Sequence, residues 1–389
     1  MSELPSVPKV RLQNCNQAPI NAQGDFVLYW MIAFRRFEFN FSLQRAIEWA
    51  IELKKPLVIF EPLRIGYRWA SDRIHRFVID GMADNAARVA SKKNPGILYY
   101  PYVEPTLDAD KGLLAALGRH ACVIVTDDFP SFFVPRMVAA VAPRLSVRLE
   151  QVDSNGLLPL RATDRVFTTA FSFRAYLQKE LRAHLAEFPL SDPLARVKLP
   201  AIKSLPTAIT RKWPAVSSRL LNGDARELAK IDIDHSVAAL DYRGGAGAAR
   251  RRLKIFLDKR LVRYSEDANK PEADARSELS PYLHYGHMVR EGRIHNYLRM
   301  LWGKKILEWT ATPQDALEIM VELNNRFAID GRNPNSYSGI FWVLGRYDRP
   351  WGPERPIFGT IRYMSSDNTR KKLHVGDYLR EYAPETMSI

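Results

Sequence analysis

Cysteine is scarce in this chain. Two residues, Cys15 and Cys122, stand among 389. A disulfide framework is excluded, and no Cys/His cluster has zinc spacing, so no metal site is expected. Thiols this few fit a reducing compartment. Long apolar runs are missing as well: none could span a bilayer, and Met1–Gly24 holds no apolar segment of the kind a signal peptide needs. There is no internal repeat and no low-complexity tract. The dinucleotide fingerprint Gly-x-Gly-x-x-Gly does not follow the first strand-like run, so that device is excluded there. These absences lead us to expect a soluble cytoplasmic protein, monomeric, with no membrane partner.

What is present is bulk and positive charge. A chain of 389 residues, 46% hydrophobic and 11% aromatic, is long enough for two domains and can bury a sizeable core. Its formal net charge is +14. Such an excess favours a polyanionic partner, nucleic acid first and an anionic membrane surface second. A basic enzyme with no special target is the plainer reading.

The periodicity divides the chain. Residues 1–24 read as an extension. From 25 to 190, buried strand patterns (Val27–Phe34, Pro56–Phe60, Ile97–Val103, Cys122–Val125, Ser146–Val152) alternate with helical ones (Phe41–Leu53, Ile74–Ala90, Leu113–Leu117, Val134–Val141). Strands separated by helices predict an α/β domain with a doubly wound parallel sheet. Residues 191–243 carry Pro193, Pro200, Pro206 and Pro214 and read as a linker wrapping the surface. From 244 to 389 the pattern is helical, over Ala248–Leu261, His287–Trp309 and Pro313–Phe327. The expected architecture is an α/β domain followed by an all-α domain.

The stretch 324–351 mixes carboxylate, amide, guanidinium and aromatic side chains more densely than a plain core requires. Between Asn324 and Lys372 lie nine Lys/Arg and four Asp/Glu, with Phe341, Trp342, Tyr347, Trp351 and Tyr363 among them. Arginines bind phosphates and aromatics stack on bases, so the mixture suits nucleic acid with a base drawn from its stack. A solvated basic face would not need the tryptophans. Trp302 and Trp309 are seven apart and share a helix face. They are either two core tryptophans or a path for electrons. Arg299, on an otherwise apolar helix, is either a surface residue or the partner of a carboxylate, with Asp330 the nearest candidate. Asn324 ends an apolar helical run; its amide could meet a heterocycle nitrogen or serve the helix end alone.

Several longer motifs carry a resemblance. They are Tyr29–Arg36, Trp69–Asn85, Asp234–Val237, Leu279–Gly286, Arg299–Trp309, Asp330–Asn335 and Phe358–Met364. In sequence and order they resemble the class II cyclobutane-pyrimidine-dimer photolyases of the photolyase/cryptochrome family. The resemblance implies FAD bound in the C-terminal helical domain. It implies light-driven electron donation from reduced flavin to a pyrimidine dimer flipped out of DNA. By position, Asn324 would sit near flavin N5, with Arg299 and Asp330 as an ion pair beside the ring. Tyr264, Ser277, Leu279 and Ser280 would hold the FAD phosphates. Met300 and Trp342 would contact the dimer, and Trp302 and Trp309 would belong to the path that reduces the flavin. Arg346, Arg349, Trp351 and Arg362 would face DNA. The N-terminal domain would be an antenna domain, its pigment unspecified.

The chain departs from the family pattern after Gly286. A long helical segment is expected between the Leu-Ser-Pro-Tyr-Leu-His run and the Arg299 helix. Here only His287–Asn296 intervenes, which implies an internal deletion in the helical domain. Arg276 stands where the family often has a small hydroxyl residue. These departures give the alternative reading: a photolyase-like DNA-binding or light-sensing flavoprotein without repair activity.

Overall fold

The computed structural model describes residues 5–267 apart from 196, 203 and 241, then 275, 277–280, 282 and 296–373. Arg276 and residues 287–295, where departures from the family pattern were expected, lie outside them. The chain forms two compact units: Met1–Val166 with Ala175–Ala248 and Tyr282–Met288, and Phe167–Arg174 with Ala249–Pro281 and Val289–Ile389.

The first unit is built on a six-stranded sheet, β1 Leu12–Asn14, β2 Phe26–Trp30, β3 Leu57–Leu63, β4 Ile97–Val103, β5 Ala121–Asp127 and β6 Leu149–Val152, in the order β1-β6-β5-β2-β3-β4. Every residue of β2, β3 and β5 is buried. That explains their mainly apolar sequence, since a parallel sheet covered on both faces has no polar side; Glu61, Thr126 and Asp127 are the buried polar exceptions. The pairs β2–β3, β2–β5, β3–β4 and β5–β6 are parallel. The covering helices are α1 Phe41–Glu52, α2 Asp72–Lys92, α3 Leu113–His120 and α4 Val134–Val141. The doubly wound α/β domain is therefore present.

Part of the N-terminal extension joins the sheet. Leu12–Asn14 pairs antiparallel with β6, and Arg11 is buried 3.6 Å from Asp153. A three-residue strand is too short to show alternation, so the sequence hid it. The proline-rich stretch 191–243 is also more regular than a linker. It holds three short helices, α6 Thr207–Lys212, α7 Ser218–Leu221 and α8 Ala225–Leu228, which follow α5 Ala170–His184. Trp213 is buried there, its indole donating to Ala109 O at 2.9 Å.

The chain reverses direction across the sheet between β2 and β5, the place where open α/β sheets hold ligands. Here that crevice contains the chain's own anion. The buried Asp127 carboxylate accepts from the backbone N–H groups of Ile32, Ala33 and Phe34 at 2.9, 2.8 and 2.9 Å and from the Tyr29 hydroxyl at 2.8 Å. Three converging N–H groups would suit a phosphate; the carboxylate takes them instead.

The second unit is helical: α9 Ala246–Ile255, which enters it at Ala249, a π-turn Phe256–Arg260, α10 Leu261–Asp267, α11 Asn296–Trp309, α12 Pro313–Phe327, α13 Pro334–Val343 and α14 Ser366–Lys372. Helix α12 starts where sequence chemistry says it must. Thr312 and Asp315 form a reciprocal capping box, with Pro313 at the first helical position. Helices α11, α12 and α13 enclose Leu307, Ala316, Met320, Ile340 and Val343. Gly303 permits the close approach of α11 and α13, since a Cβ there would lie 2.7 Å from Val343 Cγ2.

Candidate functional site

The residues expected to bind cofactor, carry electrons or face DNA lie in the second unit, in three groups. The first is centred on the end of α12. Asn325 is fully buried, and its Oδ1 accepts from the Arg332 backbone N–H at 3.1 Å and from Asn324 Nδ2 at 3.0 Å. Asn325 Nδ2 donates to the Tyr337 hydroxyl at 3.1 Å. The Arg332 guanidinium, itself buried, donates to the carbonyls of Asn325 and Ile329. Arg332 holds the left-handed region at φ +65°, uncommon for a side chain of its size. The turn is tight because Gly331 packs on Asn324; a Cβ there would lie 2.2 Å from the Asn324 carbonyl oxygen. Asn333 then caps α13, accepting from Ser336 N at 2.8 Å.

This network sets the orientation of Asn324. Its Nδ2 donates to Asn325 Oδ1 and to Ser336 Oγ at 3.2 Å. The amide nitrogen is thus committed inward, and Oδ1 remains as an acceptor. In the same turn, Asp330 Oδ1 lies 3.8 Å from Arg299 Nη2 on α11. The guanidinium on the apolar helix does meet a carboxylate, and the expected one. Farther along α11, Trp302 and Trp309 meet edge to face with centroids 5.9 Å apart. They are 53% and 66% exposed, so they are not core residues. Met300 packs against the α11–α13 core.

The second group is a ladder of alternating cations and indoles. The guanidinium carbons of Arg349 and Arg362 both lie 4.3 Å from the Trp351 ring. Arg362 is also 5.6 Å from Trp342, and Lys304 Nζ is 5.5 Å from Trp342. Arg346 is exposed and lies over its neighbour Tyr347 at 5.4 Å. Sequence reasoning missed Lys304, which looks like any helical lysine. Its side chain is buried, donating to Val343 O at 2.5 Å. Burial pushes its ammonium down to about 8, opposed by the Asp348 charge and reinforced by Arg362.

The third group is the stretch Ser277–Ser280 with Tyr264. Tyr264 on α10 is partly exposed, edge-on to Phe256 at 5.4 Å. Ser277, Leu279 and Ser280 are half-buried. Between them sits a residue that sequence reasoning passed over. Glu278 is buried, at φ +60°, and each of its oxygens meets an arginine: Arg252 Nη1 at 2.7 Å and Arg260 Nη1 at 2.8 Å. Among the described residues, no hydrogen bond or ion pair joins this group to Arg299, Asn324 or Asp330. No described set of His, Cys, Asp and Glu could hold a metal ion, and no described helix is long and apolar enough to cross a membrane.

No family model matches the chain. It is, however, similar over nearly its whole length to proteins named deoxyribodipyrimidine photo-lyase. That of Methanothermobacter thermautotrophicus is 26% identical over 457 residues, covering 95% of this chain and 97% of the relative. That of Arabidopsis thaliana is 26% identical, covering 95% and 91%. That of Potorous tridactylus is 25% identical, covering 97% and 84%. Among solved structures, a bacterial class III photolyase from Agrobacterium tumefaciens aligns with a TM-score of 0.48 at 16% identity. That alignment covers 95% of this chain and 66% of that one. The chain is thus similar, across both units, to several proteins that bear one name, deoxyribodipyrimidine photo-lyase.

Proposed function

We propose that this chain is a photolyase-type flavoprotein, of class II by its motifs, that binds FAD in its second unit and repairs cyclobutane pyrimidine dimers in DNA. The observation that carries the reading is the Arg299–Asp330 pair at the turn that also orients Asn324. Those residues fit one side of a flat heterocycle. Asn324 presents an acceptor oxygen, suited to a ring N–H, and the pair presents both signs of charge at a ring edge. When bound and reduced, FAD supplies the light-excited electron that splits the dimer. The protein's own residues hold, orient and shield. Asn325 and Arg332 keep Asn324 in place, and Trp302 and Trp309, 5.9 Å apart, offer a path inward for electrons from the surface.

The ladder of Lys304, Trp342, Arg362, Trp351 and Arg349 suits damaged DNA. Its arginines meet phosphates, while Trp342 and Met300 receive the flipped dimer, whose damaged step costs less to unstack. In this reading the protein acts as a monomer within the cell, and any antenna pigment belongs to the first unit.

A second reading, a DNA-binding or light-sensing relative without turnover, has one observation in its favour. The similarity to the Methanothermobacter protein runs over 457 residues, more than the 389 of this chain, so that relative carries residues this chain lacks. We assign that difference to an internal deletion after Gly286. Reconstitution decides between the readings. Purified protein incubated with FAD is expected to retain flavin absorbance after gel filtration. A protein that takes up none rejects the flavoprotein reading. Flavin uptake and dimer-DNA binding without reversal under blue light select the second reading.

A further inference from the structure

Helix α13 ends at Val343, so the carbonyls of its last turn need partners. The following chain serves three of them: Ile340, Phe341 and Trp342 accept from the backbone N–H groups of Leu344, Arg346 and Gly345. The next carbonyl, that of Val343, is met by another helix. Lys304 on α11 donates to it from Nζ at 2.5 Å, with its side chain fully buried. The preceding residue makes this contact possible. Gly303 brings α11 onto α13 at Val343, where a Cβ would lie 2.7 Å from Val343 Cγ2. A cation at a helix C-terminus also meets the negative end of the helix dipole. The same ammonium stands 5.5 Å from the ring centroid of Trp342, one residue before the helix end.

We propose that Lys304 is a positioning residue for lesion recognition: it caps α13 and holds the Trp342 ring in the pose that receives a flipped dimer. The inference rests on the dimer-repair reading and deepens it, by naming what sets the selectivity of that site. Burying an ammonium is costly, and an apolar side chain of the same length would fill the space without that cost. The cost is visible in the lowered value of Lys304, which the Asp348 charge only partly offsets. What the charge gains is a fixed last turn and a fixed indole. Trp342 is only half-buried, so packing alone does not lock its torsions. Arg362 lies 5.6 Å from the same ring but is also 4.3 Å from Trp351, so it is shared between two indoles. Lys304 makes its hydrogen bond and its ring contact on one turn of one helix. A ring ordered before binding spares the complex the cost of ordering it, an effect of about fivefold in affinity. A duplex whose bases stay stacked has no base to place on the ring, so its binding does not draw on this order.

The test is fluorescence anisotropy of the full-length protein, incubated with FAD, on a thymine-dimer duplex and on the undamaged duplex of the same sequence. The readout is the ratio of the two affinities. Lys304→Met keeps the stem and removes the ammonium; its ratio is expected to fall about fivefold with affinity for undamaged DNA kept. Coupling to the ring is read by a double-mutant cycle: Lys304→Met added to Trp342→Ala is expected to lower the ratio no further than Trp342→Ala alone. A folded Lys304→Met protein with an unchanged ratio overturns the proposal. Equal losses on both duplexes, or losses that add in the double variant, also overturn it, since Lys304 would then act on the fold or the general field and not on Trp342. Should Lys304→Met not fold, Lys304→Gln, polar but uncharged, takes its place under the same criteria. A parent protein that binds both duplexes alike rejects the dimer reading itself, an outcome separate from a selective parent whose ratio no Lys304 variant alters.

Discussion

Asn325 gives the sharpest handle on the α12–α13 turn, and Asn325→Leu is the perturbation of choice because the side-chain volume is nearly kept. The change removes one acceptor and one donor at a fully buried position. The Arg332 backbone N–H, 3.1 Å from Asn325 Oδ1, has no room to find water. A buried donor left unpaired costs about 1–3 kcal/mol, and each lost ordinary hydrogen bond about 1 kcal/mol. The Tyr337 hydroxyl and Asn324 Nδ2 are part-buried, so they recover some of their loss through solvent. The expected destabilisation is roughly 2–4 kcal/mol. Urea titration followed by tryptophan fluorescence measures it, since Trp302, Trp309, Trp342 and Trp351 all report on the second unit. Asn324 also loses an orienting partner, so FAD affinity is expected to fall about tenfold even where the variant is fully folded. A loss below about 1 kcal/mol with unchanged FAD affinity would refute the claim that this amide network builds the site.

Other expectations follow from the same geometry. Trp351→Leu is expected to lower the salt dependence of DNA binding by one to two phosphate equivalents (a slope change of about 1–2), because it releases Arg349 and Arg362; an unchanged slope with weaker binding would make Trp351 a base-stacking residue instead. Lys304 has a folded value of about 8 against an ordinary 10.5, so from about pH 8 to 10.5 the unfolded chain holds a proton that the folded chain has released. Stability is therefore expected to rise through that window, by roughly 3 kcal/mol at most, and Lys304→Met to remove the rise; urea midpoints at several pH values check it. Asp127→Asn places an amide donor against three backbone N–H groups and is expected to cost the first unit about 2–4 kcal/mol, read from the same denaturation curves.

Much of the fold was legible because its signals are local. The buried strands announce themselves by continuous apolar runs, and Pro313–Phe327 by its cap, its proline and its period. Strand β1 escaped because three residues carry no period, and α6–α8 because helices of four to six residues give too few repeats. The site was legible to the extent that chemistry was unbalanced in sequence. A guanidinium on an apolar helix needed a carboxylate, and Asp330 supplied it. Trp302 and Trp309 were legible as a pair from their spacing, though not as exposed. Glu278 was illegible because its partners lie 26 and 18 residues earlier. The ladder was visible as composition, but sequence gave no sign that the Trp351 ring serves two arginines, or that Lys304 is buried beneath Trp342.

The central claim is light-driven repair, and the direct measurement is dimer content in a thymine-dimer oligonucleotide incubated with FAD-reconstituted, reduced protein under blue light and in the dark. The expected result is loss of dimers in proportion to light dose, with none lost in the dark. Dimers that persist under illumination, in a preparation shown to hold flavin and to bind the oligonucleotide, would contradict it.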